Sequence, residues 1–221
     1  MISGNNKVEN DELQSVVLGN SSVALINFWP IKITSASIFL TDTGKISNEI
    51  LKKFPTIEKA EVNKNYPKTL ALTITERQPS AVYCQSNGQQ CFLIDENGVI
   101  YETQGSLPEN FVVIKQTLGD TNLYAGENVV SPNIMLAIAK IQKDLKDKFN
   151  IDIKQALVTG PTRLNITTGE NWQVYFNLSD TPDTDSQIVK LNSLLSGDIN
   201  SDVRKTLQYI DLRFEDRAYY K

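Results

Sequence analysis

The sequence contains no histidine among its 221 residues, and this absence removes several classes of catalytic site. Histidine is the commonest general base near neutral pH and the commonest neutral metal ligand. Serine–histidine, cysteine–histidine and histidine–zinc sites are therefore excluded. The sequence also lacks a glycine-rich phosphate loop and a nucleophile elbow. We predict no catalytic residue, no metal ligand and no cofactor, and interpret the protein as something other than an enzyme.

Basic residues are not in excess: 22 Lys and Arg stand against 26 Asp and Glu, a net charge of −4. This balance argues against DNA or RNA as a partner. Long apolar runs are also missing, because a bilayer span needs roughly 18 to 20 residues and the best candidate, VALINFW, is cut short by Pro30. No membrane span and no signal peptide are predicted within the sequence.

Two groups of carboxylates resemble functional sites without completing them. Asp180, Asp183 and Asp185 lie in SDTPDTDS, but the glycine and the distal glutamate of a calcium loop are absent. The start of a helix, whose dipole favours acidic residues, explains this cluster better. Asp95 and Glu96 are neighbours in DENG, and adjacent strand residues point to opposite faces, so this stretch predicts a turn.

The cysteines, only two in number, lie in AVYCQSNGQQCFLID, around the hairpin signal Asn87-Gly88. A turn at that pair places Cys84 opposite Cys91, and opposed strand residues lie about 4.5 to 5.5 Å apart at Cα, within the range of a disulfide. We predict a Cys84–Cys91 disulfide, with two free buried thiols as the alternative. A disulfide implies an oxidising compartment. Since no export signal is present, we expect that the chain lacks its native N-terminus.

Apolar periodicity predicts a helix over 10–18, capped by Asn10, and a second helix over 43–53 that ends at Phe54-Pro55. Two strands follow, joined by a turn at 65–68. Residues 19–37 receive no assignment. The order in this first region is helix, helix, strand, strand.

From residue 80 the pattern changes to short strands with a hairpin signal at Asn97-Gly98, and Ser131-Pro132 opens the longest helix. The final strand is predicted to place Ile210, Leu212 and Phe214 on its inward face. This region is α+β, with helices packed on a mostly antiparallel sheet. The other predicted elements are strands near 154–159, 162–168 and 172–178 and a helix over 183–195 that ends at Gly197.

Three stretches resemble the FtsQ/DivIB family of bacterial cell-division proteins. ISGNNKVENDEL is similar to the family's entry into its first helix, and FPTIEKAEVNKNYPKTLALTITERQPSAVY matches its most specific signature. The end of the chain follows the family order, with GENWQVYF, QIVKLNSLL and IDLRF in succession. The resemblance covers about nine tenths of the sequence and is weakest over 19–40, where an insertion is expected.

The resemblance implies two domains, an N-terminal POTRA domain over 1–78 and a larger β domain over 79–221. In family members a cytoplasmic tail, one transmembrane helix and the first POTRA strand precede this point. We therefore expect the chain to be truncated, with residues 1–3 remaining from that strand. The implied location is the extracytoplasmic side of the cytoplasmic membrane, concentrated at the division septum.

The resemblance also implies function: non-catalytic scaffolding that binds FtsB and FtsL and helps recruit or regulate septal peptidoglycan synthesis, with other membrane proteins of the division machinery as further expected partners of the POTRA domain. In the family a partner strand pairs with the sheet edge formed after the D-L-R-[YF] motif. This chain departs from the family at Glu215-Asp216, where glycine or asparagine often allows a turn. A paired inner strand without a partner is the alternative for the terminal segment, and outer-membrane assembly or secretion is the alternative for the protein. The predicted partner-binding residues are Arg213, Phe214, Asp216, Arg217, Ala218, Tyr219 and Tyr220.

Overall fold

The structure, a computed structural model, describes two compact units, Met1–Gln78 (unit 1) and Pro79–Lys221 (unit 2). For 23–28 and 31–35 it describes the backbone alone. The α+β fold predicted from the sequence is confirmed. The described residues are 1–21, 23–28, 31–35, 37–86, 88, 90–105, 111–117, 122–179 and 183–221.

Unit 1 is built on a three-stranded sheet of order β1-β5-β4, in which β1 runs parallel to β5 and β4 antiparallel to it. The predicted helices and strands are present, and the stretch that received no assignment contains a separate antiparallel hairpin, β2–β3. Its elements are β1 Ile2–Ser3, α1 Asn10–Asn20, β2 Val23–Phe28, β3 Ile31–Ser35, α2 Thr43–Lys53, β4 Ile57–Asn65 and β5 Thr69–Glu76.

The predicted cap of α1 is wrong. Glu9, not Asn10, occupies the N-cap position, and it makes no capping hydrogen bond through its side chain. Asn10 is the first residue of the helix, and its side-chain oxygen accepts a hydrogen bond from Asn5 Nδ2 at 3.1 Å. The apolar spacing located the helix, but the cap depended on how the preceding loop approaches it.

Glu76, at the end of β5, holds the loop that leads into α1. Its Oε1 accepts hydrogen bonds from the backbone N–H groups of Asn6, Lys7 and Val8 at 2.8, 2.7 and 3.2 Å. Burial raises the pKa of Glu76, but these three donors outweigh burial, so the pKa lies below its usual value of 4.5. The loop approaches β5 so closely at Gly4 (φ +87°) that a Cβ there would lie 2.1 Å from the carbonyl oxygen of Ile74.

Replacing Glu76 with glutamine is expected to destabilise unit 1 by on the order of 2 kcal/mol at neutral pH, because backbone donors lose a charged acceptor. Since the folded pKa is lowered, the carboxylate stabilises the unit above pH 4.5, and this contribution is lost as the pH falls through the folded pKa. Hydrogen exchange of α1 and β5 amides at several pH values measures both effects. A difference between wild type and Glu76→Gln that stays constant down to acid pH would contradict this account.

Among its described residues, unit 2 has a nine-stranded sheet and three helices. The longest helix, α3, starts where it was predicted, with Ser131 Oγ accepting from the Ile134 N–H at 3.4 Å. The elements are β6 Ala81–Cys84, β7 Cys91–Ile94, β8 Ile100–Gln104, β9 Val113–Gln116, α3 Pro132–Phe149, β10 Ile153–Gly160, β11 Arg163–Thr168, β12 Gln173–Asn177, α4 Thr184–Ser196, α5 Ser201–Arg204, β13 Tyr209–Asp211 and β14 Tyr219–Tyr220.

The strands of the large sheet follow the order β14-β13-β12-β11-β10-β9-β6-β7-β8. Most neighbours are antiparallel, as predicted, but β9 runs parallel to both β6 and β10, and β12 runs parallel to β13. Inward side chains of the sheet pack against those of α3 and α4 in one core. The largest fully buried side chain of this core is that of Trp172, immediately before β12.

The hairpin at Asn97-Gly98 is confirmed, although its loop has three residues and not two. The N–H of Asp95 donates to the Val99 carbonyl at 3.2 Å, and Asp95 Oδ1 accepts from the N–H groups of Asn97 and Val99, both at 2.9 Å. Gly98 has a φ of +76°, and a Cβ there would lie 2.0 Å from the carbonyl oxygen of Val130. Asp95 therefore shapes a turn, as the sequence predicted for DENG.

The first hairpin of unit 2 pairs β6 with β7, so that Cys84 lies opposite Cys91 with 4.1 Å between their Cα atoms. A disulfide joins their sulfur atoms. Gly88 has the positive φ (+70°) that the turn signal requires, whereas Asn87 lies outside the described residues.

Mass spectrometry of the alkylated protein is expected to find Cys84 and Cys91 unmodified until a reductant is added. Replacing both with serine should cost about 2 to 3 kcal/mol, because the loop that the disulfide closes is short. Thermal unfolding of the double variant measures this loss. Alkylation of both thiols without reductant would show that the disulfide does not form in solution.

Candidate partner-binding edge

The predicted partner-binding residues occupy one edge of the nine-stranded sheet. Strand β13 lies between β12 and β14, and β14 is the last described strand on that side. Arg213, Phe214, Asp216 and Arg217 belong to the loop between β13 and β14, Ala218 follows, and Tyr219 and Tyr220 form β14. The alternative, a paired inner strand without a partner role, therefore applies to β13, which has a neighbour on both sides. Strand β14 has a described neighbour on one side and provides an edge.

The prediction that Phe214 faces inward with Ile210 and Leu212 is wrong. Ile210 and Leu212 are fully buried, but Phe214 is 45% exposed, because β13 ends at Asp211 and the chain leaves the sheet. The Phe214 ring meets the Tyr219 ring edge-on, with 5.2 Å between centroids. Strand alternation therefore stops at Leu212.

Arg213 ties the start of this loop to the sheet. Its Nε and Nη2 donate to Asp211 Oδ1 and Oδ2 at 2.9 and 2.6 Å, and its guanidinium lies 5.4 Å from the centre of the Tyr175 ring. Burial raises the pKa of Asp211, but the hydrogen bonds from Arg213 outweigh it and the pKa is lowered. The Arg213 charge is paired with Asp211 and its planar face packs on Tyr175, so Arg213 stabilises the start of the loop.

Lys190, on α4, determines the path of the chain past Glu215-Asp216. Its Nζ donates to the carbonyl oxygens of Phe214 and Glu215 at 2.6 and 3.0 Å, and to that of Arg217 at 3.4 Å. Neither Glu215 nor Asp216 has a positive φ. Three carbonyls that turn toward one ammonium group therefore replace the glycine or asparagine turn. Sequence reasoning missed Lys190, because no local pattern marks a contact 24 residues away.

The outer side of β14 leaves main-chain groups available. Tyr209 and Lys221 exchange both of their N–H···O hydrogen bonds, at 3.4 and 3.2 Å. In an antiparallel pair the bonded residues alternate with non-bonded ones, so the N–H and C=O of Tyr220 point away from β13. Phe214, Tyr219 and Tyr220 are each 45 to 47% exposed, and Tyr219 and Tyr220 lie on opposite faces of β14. We call these three residues the C-terminal edge.

The opposite edge of the sheet is partly covered. The N–H of Ile100 in β8 donates to the Glu127 carbonyl at 2.8 Å, and the Ile100 carbonyl accepts from the Gly126 N–H at 2.7 Å. These bonds occupy main-chain groups that a strand partner would need at that position. Of the two edges, the C-terminal edge is the better candidate for pairing with another chain.

The acidic cluster before α4 has the structural role that the sequence favoured. Asp183 caps the helix by accepting from the Ser186 N–H at 2.6 Å, and Asp185 pairs with Lys140 at 2.8 Å. Asp180 lies outside the described residues. Within the part of the chain that the structure describes, no group of three or more Asp, Glu, Cys or His side chains could hold a metal ion.

No described helix is long and apolar enough to cross a bilayer.

Comparisons with known proteins agree on one family. Residues 21–77 match the model of the FtsQ-type POTRA domain, and residues 82–213 match that of the C-terminal domain of cell division protein FtsQ/DivIB. Cell division protein FtsQ of Actinobacillus pleuropneumoniae serotype 3 (strain JL03) is 28% identical over 158 residues. That match covers 71% of this chain and 61% of the relative, so the chain corresponds to less than two thirds of the relative's length.

Proposed function

Because the chain belongs to the FtsQ/DivIB family of cell-division proteins, we propose that it is a non-catalytic scaffold that binds FtsB- and FtsL-type division proteins through the C-terminal edge. By holding these partners it helps to recruit or regulate septal peptidoglycan synthesis. The observation that carries the proposal is the main chain of Tyr220, whose donor and acceptor face outward at the end of a nine-stranded sheet.

An extended partner segment fits such an edge because main-chain hydrogen bonds supply affinity without regard to sequence. Selectivity then comes from side chains, and aromatic residues are the commonest energetic centres of interfaces. Phe214, Tyr219 and Tyr220 provide three partly exposed rings beside the free main-chain groups. A partner strand that pairs with β14 would cover Phe214 and Tyr219 with the side chains of one face and Tyr220 with those of the other.

The edge is also held in shape before any partner arrives. Lys190 fixes the carbonyls of the loop, and the Asp211–Arg213 pair fixes its first residues. A preformed surface loses less conformational entropy on binding than a flexible one. Asp216 and Arg217 form an ion pair in solvent, with 2.7 Å between Arg217 Nη2 and Asp216 Oδ2, and offer charges at the rim where a partner would pass.

We place this region on the extracytoplasmic side of the cytoplasmic membrane, at the division septum, attached through a transmembrane helix upstream of residue 1. Two observations support this location. The Cys84–Cys91 disulfide is typical of an oxidising compartment. The relative from Actinobacillus pleuropneumoniae is named a cell division protein.

Affinity measurements with the extracytoplasmic segments of FtsB and FtsL from the same organism test the proposal. Phe214→Glu is expected to weaken binding roughly tenfold or more, because it places a charge beside the Tyr219 ring. Leu136→Glu is the matched control, since Leu136 is 58% exposed on α3, outside the predicted partner-binding segment, and should bind like wild type. Unchanged affinity of Phe214→Glu, or an equal loss in the control, would refute the assignment of the edge.

A further inference from the structure

Large apolar side chains that face solvent are concentrated at one end of unit 1. Leu18, Phe39 and Tyr66 are 65%, 66% and 62% exposed, and Leu40 is 46% exposed. Folded monomers normally scatter such residues singly over their surface. A cluster of them, in a unit that has its own buried core, therefore marks a contact surface.

Ring stacking, a hydrogen bond and a shared cavity join the segments that carry these residues. The Phe39 and Tyr66 rings are stacked, with 5.1 Å between centroids, and Lys64 Nζ donates to the Phe39 carbonyl at 3.3 Å. Leu18 and Lys68 line the same cavity of about 440 Å³, together with Ile38 and Leu70. The end of α1, the turn between β4 and β5 and the segment before α2 thus form one surface.

Within unit 1, the β2–β3 hairpin is joined to this same end. Thr41 Oγ1 donates to the carbonyls of Ser21 and Ser37, which flank the hairpin, at 3.3 and 3.1 Å. The sequence between them is rich in apolar residues, and within 23–35 Lys32 carries the single charge. Apolar composition therefore continues from the exposed cluster into the hairpin.

We propose that this end of unit 1 binds the surface of an anionic phospholipid bilayer, and we call Leu18, Phe39, Leu40, Lys64, Tyr66 and Lys68 the lipid patch. Aromatic rings sit at the headgroup level of a bilayer, and lysines beside them attract anionic headgroups. The acidic residue nearest to the patch in the sequence is Asp42, which follows Leu40 by two positions. Its side chain caps α2 by accepting a hydrogen bond from the Lys45 N–H at 3.0 Å. The inference concerns unit 1 and rests on no part of the proposed partner binding.

Sedimentation of the whole chain with lipid vesicles tests the inference. We expect binding to vesicles of phosphatidylglycerol and phosphatidylethanolamine, weaker binding at high salt, and little binding to phosphatidylcholine alone. The overall net charge of −4 opposes attraction to anionic vesicles, so binding has to come from a local surface. Phe39→Ser/Tyr66→Ser and Lys64→Glu/Lys68→Glu should each weaken it roughly tenfold or more.

Leu136→Ser/Val189→Ser is the matched control, because both residues are similarly exposed but lie on α3 and α4 in unit 2. This variant should bind vesicles like wild type, and thermal unfolding checks that all variants remain folded. The inference is overturned if wild type does not distinguish anionic from neutral vesicles. It is also overturned if the patch variants keep their affinity, or if the control loses as much as they do.

Discussion

Replacing Tyr220 with proline is expected to weaken binding of the partner segment on the order of 100-fold, which corresponds to about 2.7 kcal/mol. Proline has no N–H, and its ring would stand where a partner strand approaches. Because the Tyr220 N–H points away from β13, the substitution removes no hydrogen bond of the β13–β14 pair. The variant therefore acts on the outer side of β14 and leaves its pairing with the sheet in place.

Tyr220→Ala distinguishes the contribution of the Tyr220 main chain to partner affinity from the contribution of its ring. It keeps the outward N–H and C=O and removes the ring, so its affinity should fall less than that of Tyr220→Pro. Surface plasmon resonance with the FtsB and FtsL segments measures both, and thermal unfolding of the free protein checks the fold. If Tyr220→Pro binds like wild type while Phe214→Glu does not, the partner uses the exposed rings and does not add a strand.

Replacing Trp172 with alanine is expected to destabilise unit 2 by about 3 to 5 kcal/mol, the cost of removing a large buried aromatic side chain. Trp172 is fully buried, and its Nε1 donates to Glu170 Oε2 at 2.8 Å. Glu170 is also held by Arg204, whose Nε lies 2.9 Å from the same oxygen. The substitution therefore leaves a cavity and removes one of the donors to this carboxylate.

Calorimetry measures the effect, because unit 2 should unfold at a clearly lower temperature in Trp172→Ala. Trp172→Phe fills most of the cavity but lacks the indole N–H, so it should lose less. Leu136→Ala, at an exposed position on α3, should stay within about 0.5 kcal/mol of wild type. A Trp172→Ala protein as stable as this control would show that the core of unit 2 does not depend on the indole.

The sequence located most helices and strands because their signals are local. The apolar residues of α3 recur at helical spacing, and Ser131-Pro132 marks its start, so both the helix and its cap were predicted. The β6–β7 hairpin follows in the same way from a turn signal that sets the register of Cys84 and Cys91. The family resemblance rested on signatures in 2–13 and 54–83 and on the closing order of elements that ends in 210–214, all of which are patterns of sequence.

Tertiary structure decided the shape of the candidate site. Alternation predicted that Phe214 continues the inward face of β13, but the Asp211–Arg213 pair and Lys190 on α4 turn the chain out of the sheet after Leu212. The lipid patch likewise joins residues from α1, from the segment before α2 and from the β4–β5 turn. Apolar spacing and turn residues act over a few positions and are visible in the sequence. Hydrogen bonds and ring contacts between distant residues exist only once the elements have packed.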